Sequence, residues 1–564
     1  MALFPLLIAT VLSAALPGGA QEPRRAGEPA EPDFSIPASS TQAPPVSGAR
    51  RLWLTAHDAK GRRMDFRELI SFIGRADART RGPGLPPLPP AEGERLAPSG
   101  TTRPGATGLA VYAAGSLVRA PKFELLETAG GAALVWEGPE RVQASLPWPV
   151  PDDGFSTVWI DKVGEGYADR DTINLNEEIA LTQHRRLQET LRWRTAEAIP
   201  IYVPGDKTRR LLASPEDLLG EAQRERDPQA RAKAFDAVLR AVSLAWQKVG
   251  YEHGLQVVKA APSRDSLRFG LTLDEKAAGW SAHAEWIAEM VEKSGANWVR
   301  LVFRANPHDF TYGGEGSFGA YDAFVSGLSL RGLKIMACVL DTAQWPRTLT
   351  PEAYAARTAA LVRRYGDRVR SWEVGAEING DWLGGSKAPL SPERVFEIYA
   401  AGVQAVKAAD PALETVATLY WWEGTAPDAE HSLFGWLERF VPLGFGKDLD
   451  VVSLSLQPED NPVGMAFDGI FQAVHEKLPR QKLMLGSFGY VEGEKLAGYW
   501  WLDPADVDGA RKDLLILYNA ASCAQPNSLC GGYWWQTLDQ MLRPPRRTTD
   551  LFLLYKRSLY NLGR

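Results

Sequence analysis

The sequence predicts an α/β protein, with a C-terminal (β/α)8 barrel of the TIM type preceded by a β-sandwich-like accessory domain and a helical linker. Three observations predict it. From residue 267 onward, short apolar runs alternate with segments of helical period, eight times in about 300 residues. Between residues 109 and 160 the period drops to two. Between these regions, apolar residues recur at helical spacing.

The barrel strands are predicted from continuous apolar runs, which parallel strands need because both of their faces are buried. Helices are expected between them. One begins near Ser281, one covers 351–365, and one has Ser391 as N-cap and Pro392 in its first turn. The predicted strands are residues 268–273, 296–304, 333–340, 370–375, 413–422, 449–456, 482–489 and 531–538.

The N-terminal half is divided by composition. Residues 2–16 are apolar, too short to span a bilayer, and followed by small residues, which is typical of a secretory signal peptide. The β-rich region fits a carbohydrate-binding module or another accessory sandwich. We expect a signal peptide (1–20), a disordered linker (21–50), a β-rich accessory domain (51–165, with a Pro-rich loop at 82–107), a helical linker (166–260) and the barrel (261–564).

Several function classes are disfavoured. The net charge of −6 provides no basic surface for nucleic acid. After the leader, no apolar run is long enough to span a membrane, and no glycine-rich loop of the required form indicates a nucleotide. We therefore expect no cofactor, no nucleic-acid partner and no membrane span, and the oligomeric state stays open.

Metal binding is also not expected, because no Cys/His cluster has ligand spacing. Residues 161–171 superficially resemble a calcium loop, but Val163 and Thr172 stand at two ligand positions, and an acidic turn capping the next helix is favoured. Cys523 and Cys530 flank a turn-rich loop and could form a disulfide in an oxidising compartment. Cys338, the third cysteine, lies in an apolar run and is predicted to be a buried thiol.

The stretch 371–385 carries the clearest chemical signal. A buried strand containing Trp372 ends at Gly375, and the carboxylate of Glu377 follows. In (β/α)8 barrels the chemistry lies at the carboxyl ends of the strands. Glu377 is therefore predicted to be catalytic, the alternative being a loop carboxylate paired with a nearby arginine.

Residues 267–545 resemble the clan of TIM-barrel glycoside hydrolases that includes cellulase-like, β-xylosidase-like and β-galactosidase-like enzymes. The motifs that carry the resemblance are GANWVRLVFR, WEVGAEIN, DVVSLSLQP, LMLGSFGY and GGYWWQTLD, on strands two, four, six, seven and eight. The resemblance implies that Glu377 is the acid/base.

The resemblance also implies a nucleophilic glutamate at the end of strand seven, where this chain has Ser487. Two further positions depart from the family. The Asn expected before the acid is Ala376, and the usual strand-six histidine or tyrosine is replaced by Ser455 and Gln457.

Hydrolysis of a glycosidic bond needs two carboxyl groups, so the second one must be sought elsewhere. Glu459 and Glu492 are the first candidates, because they follow strands six and seven. Each could instead be a solvated loop acid. The other candidates are Asp341, Glu423, Asp460, Glu494 and Asp539.

A sugar-binding surface is expected at the same end of the barrel, because aromatic side chains offer flat apolar faces to pyranose rings. The resemblance implies that Arg300 supports the nucleophile position and that Trp535 forms the floor of a sugar subsite. The predicted substrate-binding residues are Arg300, Arg304, Asn306, Trp345, Asn379, Trp382, Tyr420, Trp422, Gln457, Ser487 and Trp535.

The predicted partner is therefore a poly- or oligosaccharide, and the predicted location is secreted, periplasmic or at the cell surface. Three functions are compatible with these residues. The protein is a divergent glycoside hydrolase, a non-catalytic carbohydrate-binding barrel, or an extracellular scaffold.

Overall fold

The computed structural model describes residues 49–73, 108–274, 280–304, 315–385, 388–458, 461–490 and 507–563. The predicted signal peptide, nearly all of the predicted disordered linker and the Pro-rich loop at 82–107 lie outside these residues. Within them, the chain forms a β-rich N-terminal region, three helices and a closed barrel.

The N-terminal region contains two sheets, as predicted. One has the strand order β3-β4-β1-β7, in which β7 pairs in parallel with β1 and the other pairs are antiparallel. The other has the antiparallel order β2-β5-β6. The strands are β1 (Arg50–Thr55), β2 (Ala110–Ala113), β3 (Lys122–Thr128), β4 (Gly131–Glu137), β5 (Val142–Val150), β6 (Gly154–Ile160) and β7 (Asp171–Asn174), and helix α1 covers Phe66–Ile73.

Three helices follow: α2 (Leu175–Ala196), α3 (Asp206–Arg224) and α4 (Pro228–Ala260). Asn174 caps α2 through a hydrogen bond from the Glu177 amide, and Asp227 caps α4 in the same way. The sequence did not predict α3. Pro215 lies inside this helix, and an internal proline normally marks the end of one.

Eight parallel strands close into the predicted (β/α)8 barrel. Each predicted strand contains an observed one or overlaps it. The barrel strands are β8 (Gly270–Leu273), β9 (Trp298–Val302), β10 (Lys334–Cys338), β11 (Ser371–Gly375), β12 (Glu414–Tyr420), β13 (Val451–Leu456), β14 (Lys482–Phe488) and β15 (Ser528–Trp534).

Helices surround the barrel, and a short hairpin, β16 (Leu542–Arg543) with β17 (Arg547–Thr548), precedes the last of them. Ser391 caps one helix and Pro392 lies in its first turn, as the sequence predicts. Thr350 caps another helix in the same way, with a proline in the first turn. The helices are α5 (Ala284–Ser294), α6 (Asp322–Leu330), α7 (Pro351–Tyr365), α8 (Pro392–Ala409), α9 (Leu433–Phe440), α10 (Phe467–Lys477), α11 (Val507–Cys523), α12 (Thr537–Gln540) and α13 (Asp550–Asn561).

The barrel strands alternate between two apolar environments. Outward-facing residues such as Leu301 and Val374 join the main core shared with the helices. Inward-facing residues form a separate layer that includes Trp298, Met336 and Tyr533. The interior is therefore a packed core, and polar side chains inside it need partners.

The helical region packs directly on the barrel. Helix α4 lies against α11, and at Gly254 a Cβ atom would approach the carbonyl oxygen of Ala520 to 2.0 Å. Only glycine permits this approach. Arg194 of α2, fully buried, forms an ion pair of 2.8 Å with Asp468 of α10. The predicted helical linker is thus an integral layer of the fold.

The N-terminal sheet β2-β5-β6 also contacts the barrel through buried polar groups. The Tyr112 hydroxyl donates to Glu423 Oε2 at 2.7 Å, and the Thr157 hydroxyl donates to the Pro462 carbonyl at 2.6 Å. The Phe434 amide donates to Glu423 Oε1 at 2.9 Å. Burial raises the pKa of Glu423 to about 7. This glutamate therefore joins the sheet to the barrel.

Local predictions were also made for the acidic turn at residues 161–171 and for the three cysteines. The acidic turn was predicted to cap the next helix, but α2 is capped by Asn174. Asp161 instead accepts from the Gly164 amide within the turn and from the side chains of Arg185 and Arg186 inside α2. Cys523 and Cys530 form the expected disulfide, and Cys338 is a buried free thiol. Within the described residues, no helix has both the length and the apolar character that a membrane crossing requires.

We expect Tyr112→Phe to destabilise the protein by about 1–3 kcal/mol, because it leaves a buried carboxylate with one donor fewer. The loss should be larger at pH 8 than at pH 5.5. Glu423 is mostly charged only above its pKa of about 7, and the missing bond stabilises the charged form. Urea unfolding of the wild type and the variant at pH 5.5 and pH 8 measures the loss of stability at each pH.

The matched control is Tyr560→Phe, which removes a hydroxyl from an exposed tyrosine and should change stability little. Equal losses for Tyr112→Phe at the two pH values would contradict the role assigned to Glu423.

Candidate functional site

Glu377 lies where β11 ends, at the barrel mouth, which we define as the end of the barrel formed by the carboxyl ends of β8–β15. The β11–β12 register shifts between Glu373 and Gly375, so a bulge immediately precedes the site. Glu377 has a φ of 52°, a conformation that is uncommon for a residue other than glycine. The Gly380 amide donates to its carbonyl at 3.0 Å. A tight turn therefore orients the glutamate.

The carboxyl group of Glu377 is held by a strand-six hydroxyl. Ser455 Oγ donates to Glu377 Oε1 at 2.6 Å. Burial raises the pKa of Glu377 to about 7. The Ser455 bond and the Arg300 charge lower it, whereas the Asp341 and Glu373 charges raise it. Near neutral pH a substantial fraction of Glu377 therefore carries a proton that it can donate.

Beneath the mouth, a buried ion pair crosses the barrel interior. Arg300 of β9 donates through Nε to Glu373 Oε2 of β11 at 2.8 Å, and both side chains are at most 4% exposed. Thr418 of β12 donates to the other oxygen of Glu373. Although burial lowers it, the pKa of Arg300 is raised overall, mainly by the charge of Glu373. The Arg300 guanidinium also lies 5.4 Å from the centre of the Trp535 ring.

Ser487 lies near the end of β14, in the corner of the barrel mouth beside Glu377. Ser487 is 2% exposed, pairs in register with Ser455, and accepts a long hydrogen bond of 3.4 Å from Gln457. The register shift here coincides with Gly486, where a Cβ atom would come within 1.5 Å of Ser453 Oγ. The corner is thus filled by two neutral buried side chains.

Arg304 is engaged by carboxylates from neighbouring strand ends. Its guanidinium bonds both oxygens of Asp274 after β8 and lies 3.0 Å from Asp341 after β10. The side chain is only 14% exposed. Arg304 therefore links three strand ends, and its contact with a substrate stays a prediction.

Aromatic side chains form one wall near the mouth. Trp382 contacts Tyr420 and Trp422, with ring centres 5.5 and 5.6 Å apart. Tyr420 and Trp422 are 7% and 8% exposed, whereas Trp382 and Trp535 are partly exposed. Of the predicted aromatic residues, Trp382 and Trp535 are therefore the two with accessible surface for a sugar.

Two predicted binding residues have structural partners instead. Asn379 is fully buried, donates to the carbonyls of Tyr420 and His431, and accepts from the Tyr420 amide at 2.7 Å. Trp345 is 2% exposed and packs against Tyr354. Both side chains are therefore held by partners within the protein, and their roles in sugar binding stay predictions.

The second carboxylate remains a prediction. Of the candidates, Asp341 is paired with Arg304 and caps a turn, and Glu423 joins the N-terminal sheet to the barrel. Both carboxylates therefore have partners within the protein, and a catalytic role for either stays a prediction. Glu459, Asp460, Glu492 and Glu494, with the predicted binding residue Asn306, lie outside the described residues, as does the side chain of Asp539.

Sequence reasoning missed Glu373 and Asp274. A signal for Glu373 was present, since Arg300 and Glu373 both interrupt strands that are otherwise apolar. A buried arginine requires a buried acid. Among the described residues, no group of three or more His, Cys, Asp or Glu side chains could hold a metal ion.

No protein-family model matches this sequence, and no curated protein matches it. Similar solved structures include a GH53 catalytic domain from Ignisphaera aggregans (17% identity, TM-score 0.37) and a family 1 β-glucosidase from Thermotoga maritima (12% identity, TM-score 0.39). A third is the catalytic core of a xylanase A (16% identity, TM-score 0.37).

These matches cover 50%, 54% and 52% of this chain and 88%, 99% and 98% of the matched chains, respectively. They are glycoside hydrolases, the class that the sequence resembles. At these TM-scores the matches carry no further argument about the fold. The strand pairing of this chain by itself shows the barrel.

We expect Ser455→Ala to raise the pKa of Glu377 above 7, because the lost hydrogen bond stabilises the charged carboxylate. Ser455→Thr retains a hydroxyl and serves as the control. The titration can be followed by 13C NMR of labelled glutamate, with Glu377→Gln used to assign the signal. An unchanged or lower pKa in Ser455→Ala would contradict this geometry.

We expect Arg300→Met to destabilise the protein by about 3–5 kcal/mol, because it leaves Glu373 buried without its cation. Adding Glu373→Gln should recover part of that loss, since no unpaired charge then remains. Guanidinium unfolding of the two single variants and the double variant measures the coupling. Additive losses would show that the two side chains do not act as a pair.

Proposed function

We propose that this protein is a divergent glycoside hydrolase that acts on a poly- or oligosaccharide, with Glu377 as the general acid. The observation that carries the proposal is the placement of Glu377 at the carboxyl end of a barrel strand, held by Ser455, with a pKa of about 7. A general acid works best when its pKa lies near the working pH.

The proposed chemistry begins with proton transfer from Glu377 to the glycosidic oxygen, which weakens the bond to the leaving sugar. The partly exposed ring of Trp535, which Arg300 contacts from within the barrel, would form the floor beneath the sugar. A second carboxylate is needed to attack the anomeric carbon or to activate water. We keep Glu459 and Glu492 as the predicted candidates for it.

A second candidate function is carbohydrate binding without hydrolysis. The observation that favours it is the corner beside Glu377, where Ser487 and Gln457 are buried, neutral and hydrogen-bonded to each other. A serine cannot replace a nucleophilic carboxylate. On this proposal, Trp382 and Trp535 hold the sugar and Glu377 is a hydrogen-bonding group.

We also propose that the protein is exported. Residues 1–20 have the composition of a signal peptide, and the Cys523–Cys530 disulfide is of a kind that persists in oxidising compartments.

Glu377→Gln separates the two functions. If the barrel is a hydrolase, release of reducing ends from a panel of glycans should fall about 10²–10⁴-fold in this variant. In the wild type, release should decline as the pH rises through about 7, because only protonated Glu377 can donate a proton. The control is Glu393→Gln, which neutralises a partly exposed acid of α8 and should leave release unchanged.

If the barrel only binds, no reducing ends appear. Saturable glycan affinity should then survive Glu377→Gln and weaken in Trp535→Ala, as measured by calorimetry. Hydrolysis that persists undiminished in Glu377→Gln would reject the assigned acid. The absence of both hydrolysis and affinity would reject both functions and favour a scaffold.

A further inference from the structure

A cavity lies away from the barrel mouth. It is formed where the N-terminal sheet, the helices α2 and α4, and the barrel helix α10 meet. Its volume is about 280 Å³. Its lining includes none of the residues assigned above to the mouth. Pockets that bury small ligands commonly form at such junctions and range from about 300 to 1,000 Å³. This cavity lies just below that range, which limits it to a single small molecule.

Three tryptophan side chains form the apolar wall of this cavity. Trp159 and Trp246 are each 5% exposed, and Trp193 is partly exposed. The Trp246 indole is fixed by a hydrogen bond of 3.0 Å from Nε1 to Asp468, and the Arg186 guanidinium lies 4.7 Å from the centre of the Trp159 ring. The wall is therefore held in place by partners that belong to the protein.

Polar atoms without partners line the same cavity. Gln183 and Gln525 are 3% and 6% exposed, and each donates through Nε2: Gln183 to the Trp159 carbonyl, and Gln525 to Asp468 and the Ala521 carbonyl. The Oε1 atom of each accepts no hydrogen bond from a described residue. Neither Oε1 atom is among the buried atoms that lack a partner, so each is accessible to a donor such as a hydroxyl group. Arg186 Nε, which also belongs to the lining, is buried without a partner and can donate to a hydroxyl oxygen.

The charges around the cavity balance. Asp161 lies 3.2 Å from Arg186 and 2.5 Å from Arg185, and Arg185 also pairs with Glu189. Arg194 pairs with Asp468 at 2.8 Å. Three cations therefore face three anions, and no net charge is left to attract an ionic ligand.

We propose that this cavity, which we call the junction cavity, binds one neutral pyranose ring as a second, non-catalytic sugar site. Apolar indole surface combined with unpartnered carbonyl acceptors in a neutral setting suits a ring that has apolar faces and hydroxyl edges. The inference rests on the junction cavity alone and does not require the barrel mouth to hydrolyse or to bind anything.

Substitution of Gly469 tests whether a sugar binds in the junction cavity. Gly469 of α10 lines the junction cavity, has no positive φ, and a Cβ atom there would have Arg186 Nη1, at 4.0 Å, as its nearest neighbour. A phenylalanine at this position should therefore fit and fill the space, whereas alanine should leave it open. Gly469→Ala is thus the matched control.

The measurement is isothermal titration calorimetry with the methyl glycosides of glucose, galactose, mannose, xylose and N-acetylglucosamine. It is made in a Glu377→Gln/Trp535→Ala background, so that the barrel mouth does not contribute. We expect one of these neutral glycosides to bind with a stoichiometry of one. Gly469→Ala should retain its affinity within about twofold, and Gly469→Phe should lose at least about tenfold, with an unchanged circular dichroism spectrum.

Thr190→Phe fills the junction cavity from α2 and keeps the test decisive if Gly469→Phe does not fold. The proposal is overturned if no neutral glycoside binds, or if both filled variants bind as tightly as Gly469→Ala. It is also overturned if methyl glucuronide or methyl glucosaminide binds more tightly than methyl glucoside, because the junction cavity would then select for charge.

Discussion

The ion pair between Arg300 and Glu373 is the interaction on which the candidate site depends. Taking a guanidinium into the barrel interior is costly unless an anion accompanies it. Glu373 supplies that anion, and Thr418 donates to the second oxygen of Glu373. Glu373 also offsets the charge of Arg300 as felt by Glu377. An uncompensated arginine would lower the pKa of Glu377 and leave it ionised near neutral pH.

The barrel mouth therefore combines an acid at a strand end with an uncharged corner beside it. Glu377 keeps a position, a hydrogen-bond partner and a pKa that suit proton donation. The neighbouring corner holds Ser487 and Gln457, which are buried and carry no charge. The acid favours hydrolysis as the function, whereas the uncharged corner favours sugar binding without hydrolysis. The partly exposed rings of Trp382 and Trp535 are compatible with both.

The regions around the barrel are part of the same folded body. Helix α4 approaches α11 so closely that glycine is required at residue 254, and the Arg194–Asp468 pair joins α2 to α10. The N-terminal sheet is joined to the barrel through Tyr112 and Glu423. The junction cavity exists because these layers meet there, and its lining comes from all of them. A sugar bound in it would stabilise their contact by binding the assembled form.

Much of the fold follows from local signals. The barrel strands could be predicted because parallel strands buried on both faces need continuous apolar runs, whichever strand lies beside them. Helix α7 has the predicted range 351–365, and Thr350 with Pro351 provides the local signal for its start. The position of Glu377 could be predicted as well, since it directly follows its strand.

The partners of the site residues could not be predicted in the same way. Asn379 and Trp345 have the residue types of a sugar-binding surface, yet His431, Tyr420 and Tyr354 enclose them from elsewhere in the chain. Arg304 likewise meets Asp274 and Asp341 only once three strand ends converge. Residue type and local pattern set which elements form, because apolar periodicity and caps act within a few residues. The contacts of a polar side chain depend on segments far away in sequence, and only the closed barrel with its docked layers brings those segments together.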